Sequence, residues 1–164
     1  MQYNLRDLHA RDASTAKHLL LRLTDHMAGD LQSFSFPDDM SVEHVLPRKS
    51  NPNSQWRGWF ADPSEREVYT ESLGNLVLVT KAQNDRAGNQ DFARKLEVYF
   101  KTPAAPLPAL NEALHGVSEW KPPQIRAREA EMLRLIENLW NFGLKIGSSE
   151  AGEPAPLRRR RASG

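Results

Sequence analysis

The stretch "SVEHVLPRKS" (residues 41–50) decides the fold. It sets an acid and an imidazole side by side at the end of an apolar, β-favouring run, with Pro47 and then basic residues after them. Neighbouring side chains of a strand point to opposite faces, so Glu43 and His44 cannot both enter one core. At least one of them needs a polar reason to be there.

Outward from that strand, "LVLVT" (residues 76–80) is a second short β-rich run. Between the two lies the turn-rich "RKSNPNSQWRGWFADP", after which Asp62, Pro63 and Glu65 have the pattern of an N-cap, a first-turn proline and a capping-box acid, for a short helix ending near Gly74. The Asn, Gly and Asp residues that follow the second strand predict a loop, and "NQDFARKLEVYF" then predicts an amphipathic helix with Phe92, Leu96, Tyr99 and Phe100 on one side. Helical spacing also marks residues 12–28, through Ala16, Leu19, Leu20, Leu23 and Met27, and residues 122–142, through Ile125, Met132, Leu133, Ile136, Leu139 and Trp140. A proline-rich connector and a short helix that Gly116 could end fill the space between. These helices read as packing partners of the ribbon. The expected fold is α+β, a two-stranded sheet surrounded by helices, in one domain over residues 1–146, with the core motif at 41–101.

Bulk composition excludes more than it selects. Hydrophobic residues at 39%, charged residues at 26% and a net charge of +1 are ordinary for a soluble domain, so overall charge names no partner. With no cysteine there can be no disulfide framework, thiolate zinc site or cysteine nucleophile. No apolar run approaches the roughly 18 residues of a membrane span, the N-terminus lacks a signal-peptide core, and a cytoplasmic location is expected. Four arginines in "LRRRRASG" predict a solvated, disordered basic tail over residues 147–164, which could also add phosphate contacts.

With cysteine excluded, the residues able to carry chemistry are Glu43, His44, Asn75, Asn84, Asn89 and Lys95. Each alone has a structural explanation, since Asn near Gly is a turn former and a lone His is more often hydrogen-bonded than catalytic. Together they offer an acid, an imidazole and two amides at one edge of a small sheet. Hard oxygen ligands beside a base suit a magnesium-class ion that keeps water for a substrate phosphate.

At "EHVLP" (residues 43–47), "LGNLVLVTKAQN" (residues 73–84) and "NQDFARKLEVY" (residues 89–99), in order and at compatible spacing, the chain resembles the HNH nucleases with a ββα-metal core. More closely it is similar to the C-terminal domain of GmrSD-type restriction endonucleases. The likeness extends to "AKHLLLRL" and to Trp120, residues 125–128, Leu139 and Trp140, covering residues 10–142.

That resemblance implies His44 as the general base, Glu43 and Asn84 as metal ligands with Asn89 the alternative to Asn84, and Asn75 as the residue that holds the loop between the strands and orients the His. It implies Mg2+ or Mn2+ as cofactor and DNA as substrate, with Lys95, Lys49, Arg86 and Asn89 toward the nucleic acid. His9, His18, His26 and His115 match no motif and read as ordinary helix or surface histidines.

The function implied is metal-dependent hydrolysis of DNA phosphodiesters in the restriction of foreign or modified phage DNA. The phosphate-binding pattern GxxxxGK is absent, so the expectation is either a separate NTPase, a ParB-like restriction subunit, or a chain that is a detached or truncated nuclease module. The alternatives are a nucleic-acid-binding module of the same fold that has lost catalysis, and an RNase or nickase.

Overall fold

The computed structural model describes residues 5, 7–29, 37–101 and 109–141. In chain order the elements are α1 (Leu8–Arg11), α2 (Ala13–Ala28), β1 (Met40–His44), α3 (Gln55–Trp59), α4 (Pro63–Thr70), β2 (Leu76–Thr80), α5 (Lys81–Ala87), α6 (Phe92–Lys101) and α7 (Pro122–Trp140). Short 3-10 turns at Leu73–Asn75 and Ala109–Leu114 complete them. The architecture is α+β, as the two β-rich runs predict. The expected basic tail lies outside the described residues.

The two strands form one antiparallel ribbon in which Glu43 lies opposite Val77 and His44 opposite Leu76. Alternation gives the ribbon two different faces. On the face of Glu43, Val77 and Val79 pack with Trp56, Phe92, Val98, Tyr99 and Trp120. On the face of His44, Leu76, Leu78 and Met40 pack with Leu20, Leu23, Met132 and Ile136. Helices α3 and α6 therefore cover one side and α2 and α7 the other. This explains why β2 is buried along its whole length and reads as an uninterrupted apolar run.

Three local readings change. The expected loop after β2 is helix α5, because Thr80 and Gln83 form a capping box: Gln83 N donates to Thr80 Oγ1 at 3.2 Å and Thr80 N to Gln83 Oε1 at 2.9 Å. That cap outweighs the turn-forming composition, and Gly88, at φ +38°, ends the helix. The turn-rich segment contains α3, one turn held by burial of Trp56, whose Nε1 donates to Gln90 O at 2.9 Å. Helix α4 starts where Asp62 and Pro63 predict, with Ser64 N donating to Asp62 Oδ1 at 2.8 Å, but it stops at Thr70 rather than near Gly74.

Gly74 itself belongs to the 3-10 turn that feeds β2, and there the backbone lies against α7. A Cβ on Gly74 would stand 2.2 Å from Ile125 O. Arg128 of α7 secures the same place by donating from Nη1 to Gly74 O and Leu76 O, each at 2.7 Å, and from Nη2 to Leu110 O at 3.3 Å. Burial lowers its pKa to about 10, so it remains a cation at neutral pH. Among the described residues no helix is long and apolar enough to cross a membrane.

Candidate active site and metal-ligand cluster

His44 ends β1 and its side chain is only 9% exposed. Its backbone is held from the opposite face, where Lys95 Nζ donates to His44 O at 2.7 Å. Asn75 fixes the chain that follows. Its Oδ1 accepts from Leu46 N at 2.8 Å and Trp120 Nε1 at 3.0 Å, while Nδ2 donates to Leu46 O at 3.0 Å and Thr70 O at 2.9 Å. That uses the full capacity of a primary amide. Asn75 thus ties the segment after β1, the end of α4 and Trp120 to one point.

Around the imidazole stand His9 of α1, Glu71 at the end of α4, and Arg48. The rings of His9 and His44 meet edge to face with centroids 5.0 Å apart. His44 Nε2 lies 3.6 Å from Glu71 Oε2, too far for a hydrogen bond, and has no hydrogen-bond partner although it is buried. Arg48 binds the Glu71 carboxylate in a fork, from Nε to Oε1 at 2.7 Å and from Nη2 to Oε2 at 2.9 Å, and Nη2 also reaches His9 Nδ1 at 3.3 Å. Burial, and then the charge of Arg48, push the His44 pKa down to about 4, outweighing Glu71. The imidazole is therefore neutral at pH 7 and can accept a proton or a cation. Burial would raise the Glu71 carboxyl, but Arg48 and His44 leave it lowered.

Glu43 points the other way, as the alternation of β1 requires. Its Oε1 accepts from Lys95 Nζ at 2.6 Å and from Tyr99 Oη at 3.2 Å, both on α6. Burial raises the pKa of Glu43 and lowers that of Lys95 despite their mutual attraction. The pair answers the question posed by the adjacent acid and imidazole: both side chains are buried, on opposite faces, each with its own polar company.

This arrangement corrects two expectations. Lys95 is 0% exposed and spans Glu43 and the His44 carbonyl, so it does not face phosphate. Glu43 and Asn84 do not form an oxygen-donor site with His44. The Glu43 carboxylate is committed to α6, and Asn84 Nδ2 donates to Ser41 Oγ at 2.8 Å and Val42 O at 3.1 Å. Ser41 shares the Glu43 face of the ribbon. A magnesium ion held between Glu43 and Asn84 beside His44 therefore does not fit these residues. Lys49, Arg86 and Asn89 are all exposed.

What the structure does bring together is a set that sequence spacing did not reveal. His9, His44 and Glu71 each offer a ligand atom, and these atoms lie within 4.8 Å of one another. His9 is thus not an ordinary surface histidine, and nothing in its local sequence announces that. Glu71 carried a faint signal, because an acid at a helix C-terminus opposes the helix dipole and calls for a cationic partner.

A small α+β domain with a buried, neutral histidine at the end of its ribbon is compatible with proton-transfer chemistry. The family model described as "GmrSD restriction endonucleases, C-terminal domain" matches residues 2–135, and the chain belongs to that family. This places it among restriction-endonuclease domains, whose substrate is DNA. No curated protein and no solved structure matches the chain.

Proposed function

We propose that this domain is a metal-dependent endonuclease of HNH type that hydrolyses DNA phosphodiester bonds in the restriction of foreign or modified DNA. The observation that supports it is the free, buried Nε2 of a neutral His44, at the position that carries the base in the EHxxP motif. In this reading His44 takes a proton from the attacking water, the water oxygen bonds to phosphorus, and the P–O3′ bond breaks, with O3′ taking a proton from solvent, to leave a 5′-phosphate and a 3′-hydroxyl. A general base of this kind contributes about 10²–10⁴-fold.

The chain's other residues prepare that step. Lys95 and Asn75 hold the His44 backbone and the segment after it, and the exposed Lys49, Arg86 and Asn89 are assigned to the DNA backbone. Magnesium or manganese enters the proposal from the family resemblance alone, because Glu43 and Asn84 do not hold such an ion beside His44. Such ions stabilise charge at phosphate.

Plasmid cleavage by the purified chain with magnesium or manganese, with and without a chelator, tests the proposal. Cleavage that needs the ion and disappears in His44→Ala supports it. Retained DNA binding with no cleavage under any divalent ion would identify a binding module instead.

A further inference from the structure

Arg48 makes an unusual set of contacts for a guanidinium, because it bonds both oxygens of one carboxylate and, from the same Nη2, the ring nitrogen of His9. An imidazole nitrogen facing a cation presents its lone pair, so Arg48 already occupies the place of a positive ion between Glu71 and His9. Beside that place is the unpartnered Nε2 of His44, nine-tenths buried. Two imidazole nitrogens and one carboxylate, with ligand atoms within 4.8 Å of one another, match the three-protein-ligand set that zinc accepts with water in the fourth position. The donors also favour zinc over magnesium, which takes oxygen ligands and keeps its waters.

We propose that His9, His44 and Glu71 form a zinc-class binding site in which the ion exchanges with the Arg48 guanidinium. Arg48 can leave because its side chain is 48% exposed, whereas the Glu71 side chain it covers is 20% exposed. The site uses neither Glu43 nor Asn84, the residues expected to hold magnesium or manganese, and meets the proposed nuclease chemistry only at His44. Its consequence for the nuclease rests on the function proposed above: an ion on His44 Nε2 takes the lone pair that the base needs, so zinc occupancy and catalysis exclude each other.

Cobalt(II), which occupies zinc sites and shows visible absorption when bound with low coordination number, is the direct probe. Titration of the full chain should give one bound ion, displaced by zinc. His9→Gln and Glu71→Gln should each weaken binding at least tenfold, and Arg48→Gln, which removes the competing cation, should strengthen it by a similar factor. Folding of each variant is checked by urea unfolding, with His9→Ala as a second variant at the position. Absence of binding, or binding that His9→Gln and Glu71→Gln leave unchanged, overturns the site. This readout does not depend on nuclease activity. In the cleavage assay, the ratio of rates without and with zinc should fall toward unity in His9→Gln. An unchanged ratio in a variant that no longer binds cobalt overturns the switch and leaves the nuclease reading standing.

Discussion

Lys95 Nζ lies 2.7 Å from the carbonyl oxygen of His44 while bonding Glu43 Oε1 at 2.6 Å, so one buried cation anchors the acid and the backbone of the imidazole next to it. Glu43 and His44 turn to opposite faces of the ribbon, yet one α6 side chain determines where both sit. The EH pair and the lysine 51 residues beyond His44 form a single structural unit.

Removing one member of that unit should cost more than removing both charges. Lys95→Met leaves a buried carboxylate without its cation, and breaking such a pair typically costs about 3–5 kcal/mol. Glu43→Gln combined with Lys95→Met removes both charges and keeps an acceptor oxygen for Tyr99, so most of that loss should be recovered. Urea unfolding of the single and double variants measures this. An equal loss in both would show that side-chain shape, not charge, governs the site.

Asn75 should prove nearly irreplaceable for stability. Its amide serves Leu46 N, Leu46 O, Thr70 O and Trp120 Nε1. Asn75→Ala orphans these buried groups, each at about 1–3 kcal/mol. Asn75→Asp keeps the acceptor but puts a carboxylate oxygen against two carbonyls. Both variants should lower the unfolding free energy by several kcal/mol, and a loss below about 1 kcal/mol would mean the segment finds other partners.

Gly74→Ala should fail for a different reason, steric rather than polar. The added Cβ meets Ile125 O at 2.2 Å and the Glu129 backbone N at 2.9 Å, both parts of α7 that cannot rotate away. Displacing α7 also strains the Arg128 bonds to Gly74 O and Leu76 O. Overpacking of this kind costs about 1–3 kcal/mol. Gly58, where a Cβ meets nothing within 4 Å, is the control, and Gly58→Ala should change stability far less.

The sequence made the ribbon, α2, α6 and α7 legible because each carries the periodicity of its own surroundings. Helix α5 was hidden because its evidence was a single capping box within turn-forming composition, and α3 because one buried tryptophan, not propensity, holds it. The site divided in the same way. His44 and Asn75 stand in motifs whose spacing survives in one dimension. The company of His44 does not, since His9 and Glu71 come from distant parts of the chain and only Arg48 lies in the same stretch. Strand alternation already implied that Glu43 and His44 diverge, but only the contacts of Lys95 and Tyr99 reveal which partner the acid takes.

The exposed cations and the buried imidazole should separate cleanly by experiment, because they act at different stages of the reaction. Lys49 and Arg86 are exposed, and a phosphate contact contributes to ground-state binding through counterion release, with a slope of about 0.9 per contact in log K against log salt. Lys49→Ala and Arg86→Ala should each weaken DNA binding at low salt and reduce that slope by about one unit. His44 is neutral at pH 7 and buried, so it neutralises no phosphate. His44→Ala should leave the affinity and salt slope nearly unchanged while lowering cleavage by about 10²–10⁴-fold, as expected for a group that acts only in the transition state. Fluorescence anisotropy across a salt series, paired with cleavage rates for the same variants, provides the comparison. If His44→Ala flattens the salt dependence as much as Lys49→Ala does, His44 is a binding residue and the assigned division between base and backbone contacts is wrong.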